Sequence, residues 1–338
     1  MQPTHKTRAR ALSLASLALV AASRTTLFLD IPTELGLEIL ELGLTHTPFS
    51  TLAAVSRAFS ALIEAILYRH VVLSTPKTMS LFYRTIKSKS PEFIETRIKT
   101  LAVTVEPWRF TAASGIELEG IIAACTGLRV ISVPRPAVLA NSLSHYSLHR
   151  TLPSEIVIRS FDTTPFRERE HSPSGGAAAS PAAHLSASLS HLKIAEPGDT
   201  WHSPLSILAF FGSAPHLTHL SLARRMDANT DNDQVFVDEV QVLLASRPAL
   251  RMLVVRIFPA HWPHYVDPSV PVASSTIWAA LAPVAEADKR LVLVAAELED
   301  DEASSWAYVP ASSGLRVCSF WERCKMESEA RGVQENEF

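Results

Sequence analysis

Histidines are the residues whose spacing in this chain comes closest to a chemical site. Two pairs are separated by two residues, His216 with His219 and His261 with His264. The first pair lies in a predicted strand, where residues three apart point to opposite faces, so the two imidazoles cannot readily share a metal ion. The second pair could bind a metal from a loop, but it supplies only two ligands. The chain also lacks the Gly-x-Ser-x-Gly elbow of hydrolases and the glycine-rich phosphate and dinucleotide motifs. We therefore predict no catalytic residue, no metal site and no cofactor.

The composition is that of an ordinary globular protein. The chain has 338 residues, of which 47% are apolar, and its net charge is −3. The apolar content can form a sizeable core, and the length predicts two domains or one elongated domain. A slightly acidic chain has no overall basic field, so we expect no nucleic-acid partner. The three cysteines, Cys125, Cys318 and Cys324, are odd in number and lack metal-binding spacing, which indicates reduced thiols in the cytoplasm or nucleus.

The N-terminal segment has more than one interpretation. Basic residues up to Arg10 precede an apolar run at 11–22 that ends in small residues, as in a secretory signal peptide. The first acidic residue is Asp30, so a mitochondrial presequence is another alternative. The lack of Asn-x-Ser/Thr sequons and of paired cysteines argues against secretion. The run is also shorter than the ~20 residues that span a bilayer. We interpret residues 1–27 as a flexible leader and expect no membrane partner, with a secreted or mitochondrial protein as the alternative.

Residues 28–73 carry the most specific pattern in the chain. Pro32 has the fixed φ that suits the first turn of a helix, and Glu34 favours the positive N-terminal end of that helix. Apolar residues then recur at three- and four-residue steps in two runs, 35–42 and 52–66. Helices this short are not stable alone in water, so their apolar faces must pack against each other, the next domain or a partner.

This segment resembles an F-box. The matching stretches are Ile31-Pro32, Glu34-Leu35, Ile39-Leu40, the Leu52-x-x-Val55-Ser56-Arg57-x-Phe59 core and Leu67-Tyr68-Arg69-x-Val71. The Val-Ser-Arg and Leu-Tyr-Arg combination is typical of F-box-like proteins of mushroom-type fungi, although most F-boxes carry Cys and Trp at the positions of Ser56 and Phe59. The resemblance implies a three-helix motif that binds the Skp-type adaptor of a cullin-based ubiquitin ligase. The residues that would make this contact are Ile31, Pro32, Leu35, Ile39, Leu40, Leu52, Val55 and Arg57.

The rest of the chain has the pattern of a degenerate repeat. Strand-like segments recur at 98–103, 128–133, 189–194, 217–222, 250–255 and 290–294. Four of these segments have the Leu-x-x-Leu/Ile-x-Leu/Val/Ile pattern of leucine-rich repeats. The interval between 128–133 and 189–194 can hold two repeat units, so we predict that 156–158 is the missing member of the series. Helical patterns lie between them at 116–124, 204–211, 234–245 and 276–287. Repeated strand-then-helix units predict an α/β fold, an irregular leucine-rich-repeat-like solenoid with parallel strands on its concave face and helices outside. A closed or doubly wound α/β sheet is the alternative, although its usual glycine-rich turns are missing.

The predicted solenoid covers residues 74–325. A Ser-, Ala- and Pro-rich stretch at about 163–188 has too little apolar surface to fold, so we predict a disordered insertion there. Residues 326–338 are predicted as a flexible tail. Substrate contacts are expected at strand ends and loops of the concave face, where aromatic residues often anchor interfaces. The candidates are Trp108, Trp201, Trp262 and His264.

The sequence thus predicts a non-enzymatic adaptor. Residues 28–73 would dock a Skp-type adaptor, and through it a cullin, while the repeat domain would hold an unidentified protein substrate. Outside that complex the chain is expected to be a monomer. The mechanism would be proximity to a ubiquitin-charged enzyme, without a catalytic side chain in this chain. Two alternatives stay open: a repeat scaffold unrelated to ubiquitin, and a secreted or organellar α/β protein whose N-terminal segment is cleaved.

Overall fold

The computed structural model describes residues 39–40, 43, 47, 49–106, 109–136, 138–139, 152–162, 182, 185–226, 229–259, 270–296 and 319–334. The chain divides into two compact units, one formed by residues 1–67 with 310–317 and the other by residues 68–309 with 318–338. Within the described part the fold is α/β, with a single eight-stranded, all-parallel sheet and nine α-helices. No helix among these residues combines the length and the apolar character needed to cross a membrane.

The described part of the first unit is helical. Helix α1 spans Phe49–Ala53, and helix α2 spans Arg57–Arg69, the last two residues of which belong to the second unit. The Ser56 side-chain oxygen accepts a hydrogen bond from the backbone N–H of Phe59 at 3.2 Å. This bond satisfies a donor that the first turn of α2 would otherwise leave unpaired. Ile63 is 1% exposed, so α2 has one buried side.

The second unit is built on the parallel sheet. Its strands, in chain order, are β1 (His70–Leu73), β2 (Thr100–Val103), β3 (Val130–Val133), β4 (Glu155–Ser160), β5 (His191–Glu196), β6 (His219–Arg225), β7 (Met252–Phe258) and β8 (Leu291–Ala295). Each strand pairs with the next one along the chain, so the spatial order is the sequence order. A doubly wound sheet reverses its strand order at a switch point, and a closed barrel pairs its first and last strands. Neither feature occurs among the described strands, so these two alternative folds do not apply.

Leucine and isoleucine form a continuous ladder through the sheet. The strand register aligns one apolar residue from each of seven neighbouring strands, β2 to β8: Leu101, Ile131, Ile156, Leu192, Leu220, Leu253 and Leu291. Each of these side chains is at most 3% exposed. They come from the predicted strand segments, so the predicted strands, including the missing member at 156–158, are confirmed.

Capped helices connect the strands. They are α3 (Pro76–Ser88), α4 (Pro91–Arg97), α5 (Ala112–Ala124), α6 (Pro204–Phe210), α7 (Thr230–Ser246) and α8 (Thr276–Ala287), and a 3₁₀ turn at Val272–Ser274 precedes α8. Before each of the six helices a Ser, Thr or Asn side chain accepts a hydrogen bond from a first-turn backbone N–H, and proline begins three of them. The four helices predicted between strands correspond to α5, α6, α7 and α8.

The main hydrophobic core lies between the ladder and the connecting helices. It includes one or more buried residues from each of α5 to α8, among them Ile121, Leu208, Val240 and Leu281. Alternate residues of each strand point to the opposite face of the sheet. On that face a last helix, α9 (Phe320–Gln334), forms a separate small cluster in which Trp321 and Cys324 pack with Val254 and Val292.

Two predicted boundaries differ from the structure. The predicted insertion extends to residue 188, but Ala182 and Leu185 are fully buried in the main core. The composition of this segment does not indicate that Ala182 and Leu185 are buried, because most of their neighbours are small or polar. The predicted tail starts at 326, but α9 continues to Gln334 because Trp321 and Cys324 anchor its first turns on the sheet. Residues 163–181 and the predicted leader, 1–27, lie outside the described residues.

Candidate functional site

The predicted adaptor-docking residues divide by exposure. In the first unit, Ile39 and Val55 expose 49% and 57% of their surface, and Arg57 is also exposed. Leu40 is only 3% exposed and Leu52 is half-buried. The exposed side chains are accessible to another protein, whereas Leu40 belongs to the protein interior. The other three residues of the predicted set lie outside the described residues: Ile31, Pro32 and Leu35.

Trp201 is the predicted substrate contact that the structure describes, since Trp108, Trp262 and His264 lie outside the described residues. It is half-buried and lines a cavity of about 450 Å³ at the carboxyl ends of β5 and β6. Ligands of open parallel sheets commonly bind at this edge, where the loops that follow the strands converge. The position of Trp201 therefore marks a candidate binding cavity.

A buried ion pair fixes one wall of this cavity. The guanidinium group of Arg224 donates to Oδ1 of Asp233 from Nε at 2.8 Å and from Nη2 at 2.6 Å, and both side chains are 9% exposed. Nη2 also donates to the backbone carbonyl of Asn229, the residue that caps α7. The guanidinium carbon lies 4.4 Å from the centre of the Trp201 ring. The cation and the indole thus hold each other in a stacked arrangement that is set before any ligand binds.

The facing wall is a hydrogen-bonded turn. Oδ1 of Asp162 accepts hydrogen bonds from the backbone N–H and the hydroxyl of Thr200, at 3.2 and 3.0 Å. Burial lowers the pKa of the neighbouring His202, although Asp162 works in the opposite direction. A β-carbon on Gly198 would lie 2.7 Å from the same Oδ1 atom, so this close approach needs glycine. The cavity walls are therefore held by local hydrogen bonds and are suited to binding a planar or polar group.

A second group of side chains lies on the sheet face that carries α9. We call this surface the α9 face and define it by Glu155, His191, Lys193, His219 and Arg256. The rings of His191 and His219, on neighbouring strands, stack with their centres 4.3 Å apart and their planes 9° from parallel. The prediction that His216 and His219 lie in one strand is wrong, because His216 lies in an exposed turn before β6. His219 instead pairs with His191 of the neighbouring strand.

Two aromatic residues of α9 contact this surface. The Trp321 ring lies 5.5 Å from the His191 ring and 5.3 Å from the His219 ring, and its Nε1 donates to Oε1 of Glu155 at 3.2 Å. Phe320 lies beneath two cations, with its ring centre 4.1 Å from Nζ of Lys193. The centre of the same ring is 5.9 Å from the guanidinium carbon of Arg256. Each aromatic ring of α9 therefore has its own polar partners on the sheet.

Burial changes the protonation of the α9 face. It lowers the pKa of Lys193 to about 7, helped by the nearby charges of Arg256 and Arg323. It also lowers the pKa of His219 to about 4, helped by His191 and Arg251. At neutral pH the histidine pair is therefore uncharged, which permits close stacking of the two rings.

Further hydrogen bonds lie at the strand ends next to the cavity and the α9 face. Arg159 on β4 donates from Nη1 to Glu106 at 2.7 Å and from Nε to Glu196 at 3.1 Å. Glu196 also lines the cavity beside Trp201. On the α9 face, Arg256 donates to the backbone carbonyl of Ala195 at 2.7 Å. These bonds fix the strand ends next to both surfaces.

These two surfaces are suited to binding. Within the described ranges, no three His, Cys, Asp or Glu side chains are placed to hold a metal ion. No family model, no curated protein and no solved structure matches this chain. The two surfaces contain stacked aromatic rings, fixed guanidinium groups and carboxylate acceptors, which are groups that commonly take part in recognition between proteins.

Sequence reasoning considered His219 only as half of a possible metal-binding pair, and it selected none of the other residues that define the α9 face. Lys193 and His219 look like ordinary surface positions of a repeat, because their burial depends on a helix more than a hundred residues away. One signal was present: Phe320 and Trp321 are adjacent aromatic residues at the start of an otherwise charged segment. Such a pair indicates that one side of the helix is buried.

Proposed function

We propose that this chain is a substrate-recruiting adaptor of a Skp–cullin–F-box type ubiquitin ligase. Residues 28–73 would be the F-box that docks the Skp-type adaptor, and the parallel-sheet unit would be an irregular leucine-rich-repeat-like solenoid that binds a protein substrate. The chain itself would carry out no chemistry. It would act in the cytoplasm or nucleus by raising the effective concentration of substrate near a ubiquitin-charged enzyme.

The observation that carries the docking half of the proposal is the exposure of Ile39 and Val55. Both positions belong to the F-box-like pattern, and both expose about half of an apolar side chain, at 49% and 57%. The neighbouring Leu40 and Ile63 are almost fully buried, at 3% and 1%. Apolar residues exposed beside buried ones are what a helical motif needs if it is to pack on another protein.

The sheet supports the repeat half of the proposal. A sheet whose strands follow sequence order, with an aligned Leu or Ile in seven of its eight described strands, is the arrangement expected when similar strand-and-helix units stack in register. The cavity beside Trp201 and the α9 face then supply two surfaces for substrate, at the strand ends and on the face opposite the helices.

A direct binding experiment tests the docking half. We would mix the purified full chain with a purified Skp-type adaptor and measure association by pull-down and calorimetry. The Ile39→Asp/Val55→Asp double variant should lose binding, because it places two charges in an apolar interface, and should keep its thermal stability because both side chains are exposed. Ile116→Asp is the matched control, since Ile116 is 66% exposed on α5 of the second unit.

The results separate the proposal from its alternatives. Binding by the wild type and the Ile116→Asp control, with loss in the double variant, supports the adaptor function. If the folded wild-type chain does not bind the Skp-type adaptor, the first alternative is favoured. The chain would then be a repeat scaffold with a function unrelated to ubiquitin. N-terminal sequencing of the protein from cells tests the other alternative, a secreted or organellar protein from which the segment at 1–27 has been removed.

A further inference from the structure

Helix α9 is attached to the second unit by a small contact. Its buried side chains, Trp321 and Cys324, belong to a cluster separate from the main core, and the main core is complete without any residue of α9. Arg323 and Met326 of the same helix are exposed. The main core therefore uses no packing from α9, which is the condition for α9 to open locally while the rest of the unit stays folded.

The surface beneath α9 is more polar than the interior of the sheet. Phe320 covers Lys193 and Arg256, and Trp321 covers the stacked pair of His191 and His219. Keeping cations and imidazoles away from water costs free energy, which offsets part of the gain from burying the two aromatic rings. The contact is thus specific in its geometry and modest in its net stability.

The partners of the two rings define what this surface recognises. Glu155 accepts the indole N–H of Trp321, which selects an aromatic side chain with a donor. The ammonium group of Lys193 lies over the ring of Phe320. A cation at this place favours a ligand with an aromatic ring at the position of Phe320. Both rings come from adjacent residues at the start of one helix.

We propose that the α9 face is a recognition surface for a helix of another protein that begins with two adjacent aromatic residues, and that α9 is its internal competitor. A substrate helix of this kind takes the place of Phe320 and Trp321, and α9 is released. The binding surface is independent of the ubiquitin function, but the statement that its partner is a ligase substrate rests on the proposed function.

A tethered helix competes strongly with a free one. A helix that belongs to the same chain as its site has an effective concentration there on the order of 1 mM, so it masks the site from any ligand that binds more weakly than that. A free copy of the α9 sequence should therefore bind the wild-type chain poorly. It should bind well once the tethered helix has lost its aromatic anchors.

The experiment measures binding of a fluorescein-labelled peptide of residues 319–334 to the full chain by fluorescence anisotropy. The Phe320→Ala/Trp321→Ala double variant should bind this peptide at least tenfold more tightly than the wild type. Met326→Ala is the matched control, because Met326 is 49% exposed on the same helix, and it should behave as the wild type. A peptide with alanine at both aromatic positions should not bind any form.

Cysteine reactivity provides a second, independent measurement. Cys324 lies on the buried side of α9, and Cys125 is buried at the end of α5 in the main core. With a maleimide reagent and mass spectrometry, Cys324 of the wild type should react at least tenfold faster than Cys125, because it needs only the opening of α9. In the double variant Cys324 should react faster still, while slow reaction of Cys125 shows that the core is intact.

Either measurement can overturn the proposal. Equal peptide affinity in the wild type and a folded double variant, or equal reaction rates of Cys324 and Cys125 in the wild type, would contradict it. If the double variant exposes Cys125, Trp321→Phe replaces it, since this change removes the donor to Glu155 and part of the ring but keeps an aromatic side chain, and it should still raise peptide affinity several-fold. A pull-down of the Skp-type adaptor with the same proteins distinguishes the two hypotheses: peptide binding without adaptor binding leaves this proposal intact and refutes the ligase function.

Discussion

Replacement of Lys193 by methionine tests whether α9 keeps a cation away from water. Lys193 is 4% exposed, and its Nζ lies 4.1 Å from the centre of the Phe320 ring. Burial, with help from Arg256, lowers its pKa from 10.5 to about 7, while Glu155 acts in the opposite direction. Methionine keeps a similar unbranched stem without the charge, so the variant removes the ammonium group and retains most of the packing.

The pH dependence follows from the two pKa values of Lys193. Below pH 7 both the folded and the unfolded chain carry the proton, so folding buries a charged ammonium group. Between pH 7 and 10.5 the unfolded chain holds more of this proton than the folded one, so the free energy of unfolding rises with pH. The rise is up to about 1.4 kcal/mol per pH unit, or about 3 kcal/mol between pH 7 and pH 9.5. Lys193→Met lacks this rise.

Urea unfolding of both proteins at half-unit pH intervals, followed by circular dichroism, measures this difference. We expect Lys193→Met to be more stable than the wild type at pH 7, and the difference to shrink by about 3 kcal/mol towards pH 9.5. Lys77→Met, at an exposed position on α3, is the control and should run parallel to the wild type at every pH. If the curves of Lys193→Met and the wild type are also parallel, α9 does not shield Lys193 and the reasoning is refuted.

Four further predictions concern the fold and its buried polar groups. Gly115→Ala should raise the free energy of unfolding by ~1 kcal/mol, because a β-carbon there meets no atom within 4 Å in a helix. Gly127→Ala should lower it by ~2 kcal/mol, because its β-carbon overlaps a backbone carbonyl, and urea unfolding that ranks the two variants the other way contradicts the packing. Asp233→Asn should lower it by ~3 kcal/mol by removing the anion from the buried guanidinium group of Arg224, and an unchanged urea midpoint would argue against that pair. His219→Gln should flatten the loss of stability between pH 6.5 and 4, because the wild-type folded state resists a proton that its unfolded chain accepts there; acid titration that shows the same loss in both refutes this.

The strands and helices of the second unit were largely predictable from local patterns. Residues such as Leu220 and Leu253 recur in short Leu-x-x-Leu segments, and each segment is long enough for one strand only. The predicted starts of two helices, at residues 204 and 276, agree with the structure, where Ser203 and Ser275 cap these helices. Boundaries were less predictable: the burial of Leu185 could not be inferred from a segment of mostly small and polar residues.

The candidate binding surfaces were predictable only in part. Trp201 was selected because aromatic residues at strand ends and loops often anchor interfaces, and it does line a cavity. Its partner Arg224 looked like an ordinary charged residue after a strand, because nothing in the local sequence shows that Asp233 on the next helix will neutralise it. The local sequence of one segment cannot show that its charged residue forms an ion pair with a residue of another segment.

Sequence by itself determined the α/β class and the apolar strand segments, because these depend on repeated local patterns. The tertiary structure decided the order of the strands, since the same segments are also compatible with a doubly wound sheet. Only the tertiary structure decided what covers the other face of the sheet. His191 and His219 become neighbours through the register of β5 and β6, and Trp321 reaches them from the far end of the chain. Burial by that distant helix is what changes the pKa of Lys193, since desolvation depends on three-dimensional packing and not on adjacent residues.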